Sequence, residues 1–380
     1  MLLSDRPASP RPRRLLSLDG GGIRGVLAAE ILVEIEETLK RRDPKITCLG
    51  DYFDFVGGTS TGSILAAGVA MGLSAAALRD FYLERGPHLF KKTFFARLWH
   101  KYDSAPLVRE LKNVFGDRAL GSPDFRTLLL VVSKNITTGE TWFFSNNPKG
   151  KYRASDASRK VADLILASSA APTYFAPVPL EIAPASGGGK PVVHEFVDGG
   201  MSMFNNPSLQ LFLEATDPQY GLGWPRGEKN VLLVSVGTGF AAPTLPAGSA
   251  AGTTLIGWAG HAIDTLMEDA NVQQNLLLRM ISRSRGGARI DQELGSHGAP
   301  SADALAPPDG SARLALLTYH RYTTSLTSDR LHGSLGLPKT IDAEALRGLD
   351  AGDQVRELAA VGRAVAKEQV SEGDFEGFWN

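Results

Sequence analysis

The sequence feature that most constrains the fold is a serine between two glycines, directly after an apolar run. Residues 55–64 read FVGGTSTGSI, which places Ser60 between Gly58 and Gly62 in a G-x-S-x-G pattern. In this pattern a sharp turn from strand to helix lifts the serine hydroxyl clear of the backbone, and small neighbours let the chain pass closely. The pattern predicts a strand, a tight turn and a helix, with Ser60 as a candidate nucleophile.

A second glycine-rich turn lies near the start of the chain. The apolar run 15–18 is followed by DGGGIRG at 19–25 and then by apolar residues at helical spacing. Consecutive glycines permit backbone conformations closed to other residues, and N–H groups at a helix start form an anion-binding concavity. The pattern predicts an anion hole at Gly20, Gly21 and Gly22, in a motif that also contains Arg24 and Gly25.

The same glycines also satisfy G-x-G-x-x-G, so a dinucleotide site of an oxidoreductase is an alternative. In such a site an acidic residue about 20 positions further on ends a second strand. Here that residue would fall near Asp43, which follows a helical pattern. A further alternative is that Asp19 and Arg24 simply cap and pair within the loop.

A carboxylate follows a third apolar run. Residues 191–196, PVVHEF, predict a strand that delivers Asp198 ahead of Gly199 and Gly200. A carboxylate at the C-terminal edge of a parallel sheet lies where ligands bind, although Asp before Gly-Gly is also a common turn residue. Together the three motifs supply an anion hole, a serine and a carboxylate, which are the parts that acyl transfer requires.

This arrangement resembles the patatin-like phospholipase family over residues 15–239. DGGGIRG, GGTSTG, ASSAAPTYF and DGG stand as the family pattern expects, and VSVGTG resembles a further family strand. The resemblance implies a three-layer α/β/α fold with a mainly parallel central sheet. It also implies hydrolysis of phospholipid acyl esters by a Ser60–Asp198 dyad without a metal or cofactor. Gly20, Gly21 and Gly22 would form the oxyanion-hole loop, with Arg24 at the family's basic position.

The remaining sequence suggests three parts. Residues 1–14 lack the apolar core of a signal peptide, and we expect a disordered lead-in there. We expect a catalytic core at 15–240 and a C-terminal cap or extension at 241–380, made of a long helix, variable loops, a strand and a final helix. The long helix resembles the C-terminal part of bacterial patatin-like enzymes, some of which are switched on by cyclic nucleotides, although no motif here indicates nucleotide binding.

Charge and cysteine content bear on partners and location. With 40 basic and 41 acidic residues the formal net charge is -1, and nothing suggests a nucleic-acid partner. The only cysteine, Cys48, fits a reducing compartment, so we expect a cytoplasmic protein. Basic and aromatic residues interleave at 91–101, which fits either peripheral contact with an anionic membrane or an ordinary amphipathic segment packed on the domain.

Two other functions stay open at this stage. One is a general α/β-hydrolase esterase with a Ser-Asp-His triad, because four histidines follow Asp198: His261, His297, His320 and His332. Among them His320 comes closest to a strand end. The other is a non-catalytic binding or storage protein on the same fold. The seven histidines show no metal-binding spacing, so no metal site is predicted.

Overall fold

The computed structural model describes residues 11–89, 104–172, 174–182, 190–241, 244–245, 247–283 and 315–379. The strands in these ranges are β1 (Arg13–Leu18), β2 (Phe55–Thr59), β3 (Leu128–Asn135), β4 (Thr141–Ser145), β5 (Val178–Ile182), β6 (Val192–Asp198), β7 (Val231–Val236), β8 (Ser282–Arg283) and β9 (Leu317–Tyr322). The helices are α1 (Gly25–Arg42), α2 (Leu49–Tyr52), α3 (Thr61–Ala70), α4 (Ala75–Leu89), α5 (Ala105–Phe115), α6 (Arg153–Asp156), α7 (Val161–Ser168), α8 (Ser208–Thr216), α9 (Leu255–Ile281) and α10 (Val355–Gln369).

All the strands belong to one sheet, in the order β5-β6-β3-β2-β1-β7-β9-β8, with β4 beside β3. The central strands β3, β2, β1, β7 and β9 are parallel to one another. In the register of β1 and β2, Leu15 lies opposite Phe55 and Leu18 lies opposite Gly58. The turns that follow β1 and β2 therefore leave the sheet side by side at its C-terminal edge.

Helices cover both faces of the sheet because successive strand side chains point to opposite sides. Leu16 and Val56 contribute to a core shared with α1, α3, α7 and α10. Their neighbours Leu15 and Phe55 contribute to a second core, which includes Leu211 of α8 and Leu278 of α9. The expected three-layer α/β/α fold with a mainly parallel sheet is confirmed.

The strand that carries Asp198 runs against its neighbour. β6 pairs with β3 in the antiparallel sense, with Asp198 opposite Ser133. On the other side of β3, Thr59 at the end of β2 lies opposite Val132. Asp198 therefore lies near the C-terminal edge of the sheet, but on an antiparallel strand. The prediction that a parallel strand places Asp198 there is wrong.

The C-terminal part is integrated with the rest of the fold. β9 lies inside the sheet beside β7, so this strand is not part of a peripheral cap. A helical pattern in the sequence starts near 343, but the final helix begins at Val355, because short 3-10 turns at Ala345–Arg347 and Gly352–Gln354 precede it. The domain boundaries at 14 and 240 stay predictions.

Further findings concern the N-terminal half and the membrane. A proline usually ends a helix, but α4 includes Pro87 in its last turn. The basic and aromatic segment 91–101 lies outside the described residues, as do residues 1–10 of the expected lead-in. In the part of the chain that the structure describes, no helix is both long enough and apolar enough to cross a membrane.

Candidate active site

Ser60 occupies the turn between β2 and α3 in a backbone conformation that is rare for a residue with a side chain. Its φ is 54° and its ψ is -127°, and it is the only non-glycine among the described residues with a positive φ. A Cβ at Gly58 would lie 2.1 Å from the carbonyl oxygen of Gly62, and one at Gly62 would lie 2.2 Å from that of Leu18. Only glycine at both positions permits this turn.

The Ser60 hydroxyl faces the carboxylate of Asp198. Ser60 Oγ donates to Asp198 Oδ2 at 2.5 Å, and the Gly200 N–H donates to Asp198 Oδ1 at 2.7 Å. Ser60 and Asp198 are only 8% and 6% exposed. Burial raises the pKa of Asp198 to about 6, against the opposing hydrogen bonds from Ser60 and Gly200. Asp198 is therefore a stronger base than a surface aspartate, yet mostly ionised at neutral pH.

The backbone around the serine is held by other hydroxyl groups. The Ser60 N–H donates to Ser168 Oγ at 2.9 Å, and Ser168 Oγ in turn donates to the carbonyl of Val132 at 2.6 Å. Ser63 Oγ donates to the carbonyl of Ser60 at 2.6 Å. The Ser60 N–H is thereby occupied, so it is not available as an oxyanion donor.

The glycine loop after β1 lies against this turn, but its three glycines differ. The Gly20 N–H donates to the carbonyl of Asn205 at 3.0 Å, so this geometry does not support Gly20 as an oxyanion donor. The N–H groups of Gly21 and Gly22 have no acceptor among the described residues, and both glycines border the same cavity as Ser60. Gly21 and Gly22 are the remaining candidate donors.

Residues that are distant in sequence stabilise this loop through hydrogen bonds. Arg321 of β9 holds Asp19 through two hydrogen bonds of 2.9 and 2.6 Å. Thr238 Oγ1 donates to the carbonyl of Gly20 at 2.8 Å, and the Ile23 N–H donates to the carbonyl of Leu349 at 3.0 Å. Asp19 thus pairs with Arg321 and not with its neighbour Arg24. No local sequence signal identified these partners.

Arg24 faces acidic residues of α9. Burial lowers the pKa of Arg24, while the nearby charges of Glu268 and Asp264 oppose this shift. Its Nε is buried without a hydrogen-bond partner among the described residues. Arg24 also borders the cavity that contains Ser60, together with Asp264.

A cavity of about 260 Å³ opens above Ser60 and Asp198. One wall comes from α9, through Gly260, Asp264 and two apolar side chains. The apolar residues that line the cavity include Ile64, Leu107, Phe175, Met201, Ile263 and Met267. A buried hydroxyl and carboxylate beneath apolar walls suit a ligand that combines a polar reacting group with a hydrocarbon chain.

The other glycines of the motifs serve packing. A Cβ at Gly25 would lie 2.4 Å from Thr61 Oγ1, which brings the start of α1 against the start of α3. A Cβ at Gly199 would lie 2.5 Å from the carbonyl oxygen of Val132, so Gly199 lets Asp198 approach β3 closely. Gly200 contributes the N–H described above.

Three of the four histidines considered for a triad lie in the described residues, and none of these three borders the cavity that contains Ser60. His320 is buried within β9 and stacks on Tyr322, whereas His332 Nδ1 lies 3.3 Å from the carbonyl oxygen of Leu337. His261 lies on α9, and His297 is outside the described residues. Within the ranges that the structure describes, no histidine hydrogen-bonds to Ser60 or Asp198.

Comparison with known proteins agrees with this arrangement. A family model described as patatin-like phospholipase matches residues 16–212. A cGAMP-activated phospholipase of Escherichia coli is 34% identical over 247 residues, which cover 62% of this chain and 65% of that protein. One from Vibrio cholerae is 34% identical, covering 52% and 56%. Patatin group J-1 of Solanum tuberosum is 32% identical, covering 59% and 60%. The chain thus spans 56% to 65% of the length of these relatives.

Proposed function

We propose, from the premise that the chain belongs to the patatin-like phospholipase family, that it is a serine hydrolase of phospholipid carboxylic esters. The observation that carries the proposal is the 2.5 Å hydrogen bond from Ser60 to the buried carboxylate of Asp198. Family membership supports action on lipid esters, and the apolar cavity around Ser60 suits an acyl chain. We also propose that the protein is cytoplasmic and contacts membranes peripherally.

The dyad accounts for both halves of the reaction. Asp198 accepts the Ser60 proton as Oγ attacks the ester carbonyl, and the N–H groups of Gly21 and Gly22 stabilise the oxyanion. When the tetrahedral intermediate collapses, the alcohol leaves with the proton held by Asp198, and an acyl-serine remains. Asp198 then takes a proton from water, whose oxygen attacks the acyl carbon. The fatty acid departs, and the proton returns to Ser60.

Labelling with a fluorophosphonate tests the proposal directly, because only an activated serine should react. We expect the wild-type chain to be labelled and to release fatty acid from phospholipid. Ser60→Ala should do neither. Ser122→Ala is the control, since Ser122 does not border the cavity that contains Ser60, and it should still be labelled. A folded wild-type chain that resists the reagent and hydrolyses no lipid would refute the proposal.

Regulation by a cyclic nucleotide is a separate part of the proposal. It is supported only by the names of two bacterial relatives, which are cGAMP-activated phospholipases. We expect the lipid hydrolysis rate of the purified full chain to rise when cGAMP is added. A rate that is the same with and without cGAMP, in a preparation that reacts with fluorophosphonate, would count against an activator of this kind.

A further inference from the structure

The N-terminal half of α9 presents large apolar side chains to solvent. Trp258 is 42% exposed and Leu266 is 69% exposed, the highest value for any large apolar side chain among the described residues. Ala262, which lies between them, is also exposed. The three residues are four positions apart, so they form a single stripe along the helix. We call Trp258, Ala262 and Leu266 the α9 stripe.

The neighbouring face of the same helix forms the cavity wall. Gly260, Ile263, Asp264 and Met267 all border the cavity above Ser60. Ile263 is itself 37% exposed, so it lies at the rim. One face of α9 therefore closes the candidate active site, while the α9 stripe faces outward beside its mouth.

The segment that leads into this region carries no ionised side chain. Residues 231–263 contain no Asp, Glu, Lys or Arg, although 21% of the chain is charged. Ionised residues return at Asp264, which lies between Ala262 and Leu266 in sequence and borders the cavity. Exposed large apolar side chains on one helix face mark an interaction surface. Tryptophan in particular favours the boundary between lipid and water, because its ring is apolar and its N–H is polar.

The position of the stripe distinguishes a lipid surface from a second copy of this chain. A protein partner seated on the stripe would lie against the rim at Ile263 and obstruct the cavity. A bilayer seated there would instead present its own lipids to the cavity mouth. Since the proposed substrate is a phospholipid, a bilayer bound to the stripe would also supply the substrate to the cavity.

We propose that the α9 stripe inserts into the surface of a lipid bilayer and thereby positions the cavity mouth for a phospholipid to enter. This inference rests on the proposed function, because it assigns the stripe to the delivery of that substrate. Binding depends on apolar contact, so vesicles of zwitterionic phosphatidylcholine suffice and no anionic lipid is required.

Vesicle binding can be measured without catalysis by using the full chain with Ser60→Ala. In that background the double variant Trp258→Glu/Leu266→Glu should lower the partition coefficient for phosphatidylcholine vesicles at least about tenfold, because two apolar anchors are replaced by charges. Trp258→Phe, which keeps an apolar ring, should retain most of the binding.

The other end of α9 supplies a matched control. Leu277 and Met280 are 41% and 51% exposed. β8 follows α9 directly and runs parallel to β9, so this end of the helix lies at the sheet edge opposite Ser60. Leu277→Glu/Met280→Glu adds the same charges and should change the partition coefficient less than about twofold.

Hydrolysis assays with Ser60 intact separate docking from chemistry. Trp258 and Leu266 do not line the cavity, so Trp258→Glu/Leu266→Glu should hydrolyse a soluble short-chain p-nitrophenyl ester at the wild-type rate. Its hydrolysis of vesicle lipid should fall at least about tenfold. If the wild type hydrolyses neither substrate, the proposed function fails, whereas the partition measurement still tests docking.

Two results would overturn the inference. One is equal vesicle partition by the Trp258→Glu/Leu266→Glu and Leu277→Glu/Met280→Glu variants. The other comes from light scattering: a wild-type dimer that the stripe variant converts to a monomer, with vesicle binding unchanged, would make the α9 stripe a self-association surface.

Discussion

Asp19 and Asp198 have similar local sequences and occupy very different electrostatic environments. Each follows an apolar strand and precedes a run of glycines, and they are only 3% and 6% exposed. Asp19 accepts two hydrogen bonds from the guanidinium of Arg321. Asp198 accepts one from the neutral hydroxyl of Ser60 and one from a backbone N–H. Asp19 thus pairs with a buried guanidinium, whereas Asp198 has no cation among its hydrogen-bond partners.

The presence or absence of a paired guanidinium affects the pKa and therefore the role of each carboxylate. Burial raises the pKa of Asp19, and the charge and hydrogen bonds of Arg321, together with the charge of Arg24, oppose this shift. Burial also raises the pKa of Asp198, to about 6, with only weaker hydrogen bonds in opposition. A base that must take a proton near neutral pH requires the second environment. We therefore assign Asp19 to stabilising the glycine loop and Asp198 to proton transfer.

The largest expected effect is on catalysis. Asp198→Asn and Ser60→Ala should each lower phospholipid hydrolysis at least about 100-fold, because each removes one member of the dyad. Fatty acid release from vesicles measures this, with circular dichroism and thermal unfolding to verify the fold. The wild-type kcat/KM should also fall as the pH drops below about 6, where Asp198 becomes protonated. A folded Asp198→Asn variant with wild-type turnover would show that Asp198 is not the catalytic base.

The next effect is on stability. Asp19→Asn leaves Arg321 buried without its counter-charge, and we expect the free energy of unfolding to fall by about 3–5 kcal/mol. Urea denaturation of the full chain measures this change. Asp19→Asn/Arg321→Met removes both charges and should recover part of the loss, because no unpaired ion remains. Additive losses in the double variant would show that the pair does not act as a unit.

A smaller stability effect of opposite sign is expected at the other aspartate. The pKa of Asp198 is about 6 in the folded chain and about 3.9 in an unfolded one. The folded state binds the proton more tightly, so the stabilisation is fully present below about pH 4 and is lost as the pH rises through 6. Asp198→Asn avoids this loss. Its free energy of unfolding should exceed that of the wild type by about 2 kcal/mol near pH 8 and match it near pH 4.

Urea titrations at both pH values distinguish this outcome from a general effect of substitution. An Asp198→Asn variant that is less stable than the wild type at about pH 8 would mean that Asp198, like Asp19, is held by a favourable ionic environment.

The elbow and the glycine motifs could be predicted from sequence because their causes are local. Ser60 needs a strand before it, a helix after it and glycines two positions away on each side, and all of these lie within residues 55–70. The close approaches at Gly58 and Gly62 are a direct consequence of that turn. The layered fold could likewise be inferred from the resemblance that these motifs carry.

The rest of the site depends on contacts between distant parts of the chain. Arg321 lies 302 positions from Asp19, and nothing in the LTYHRY strand distinguishes its arginine from a surface charge. The occupation of the Gly20 N–H by Asn205 depends on how the segment after β6 folds back. The antiparallel direction of β6 and the cavity wall from α9 also come from tertiary packing, which local periodicity does not encode.

The smallest expected effect is that of substituting the histidines. It tests whether a histidine, and not Asp198, is the catalytic base. If Asp198 only oriented an imidazole, as in a Ser-Asp-His triad, it would hydrogen-bond to that ring. Its carboxylate oxygens instead accept from Ser60 and Gly200. Single alanine variants of the four histidines should therefore keep hydrolysis within about threefold of the wild type. These are His261→Ala, His297→Ala, His320→Ala and His332→Ala.

His320 needs a separate control because it is fully buried in β9, and truncation there leaves a cavity that destabilises the chain. His320→Asn keeps a polar group of similar reach, so activity measured below the unfolding transition of each variant separates chemistry from folding. Loss of activity in His320→Ala together with normal activity in His320→Asn would indicate packing alone. If any folded histidine variant were as inactive as Ser60→Ala, Asp198 would no longer be the base, and a triad would replace the dyad.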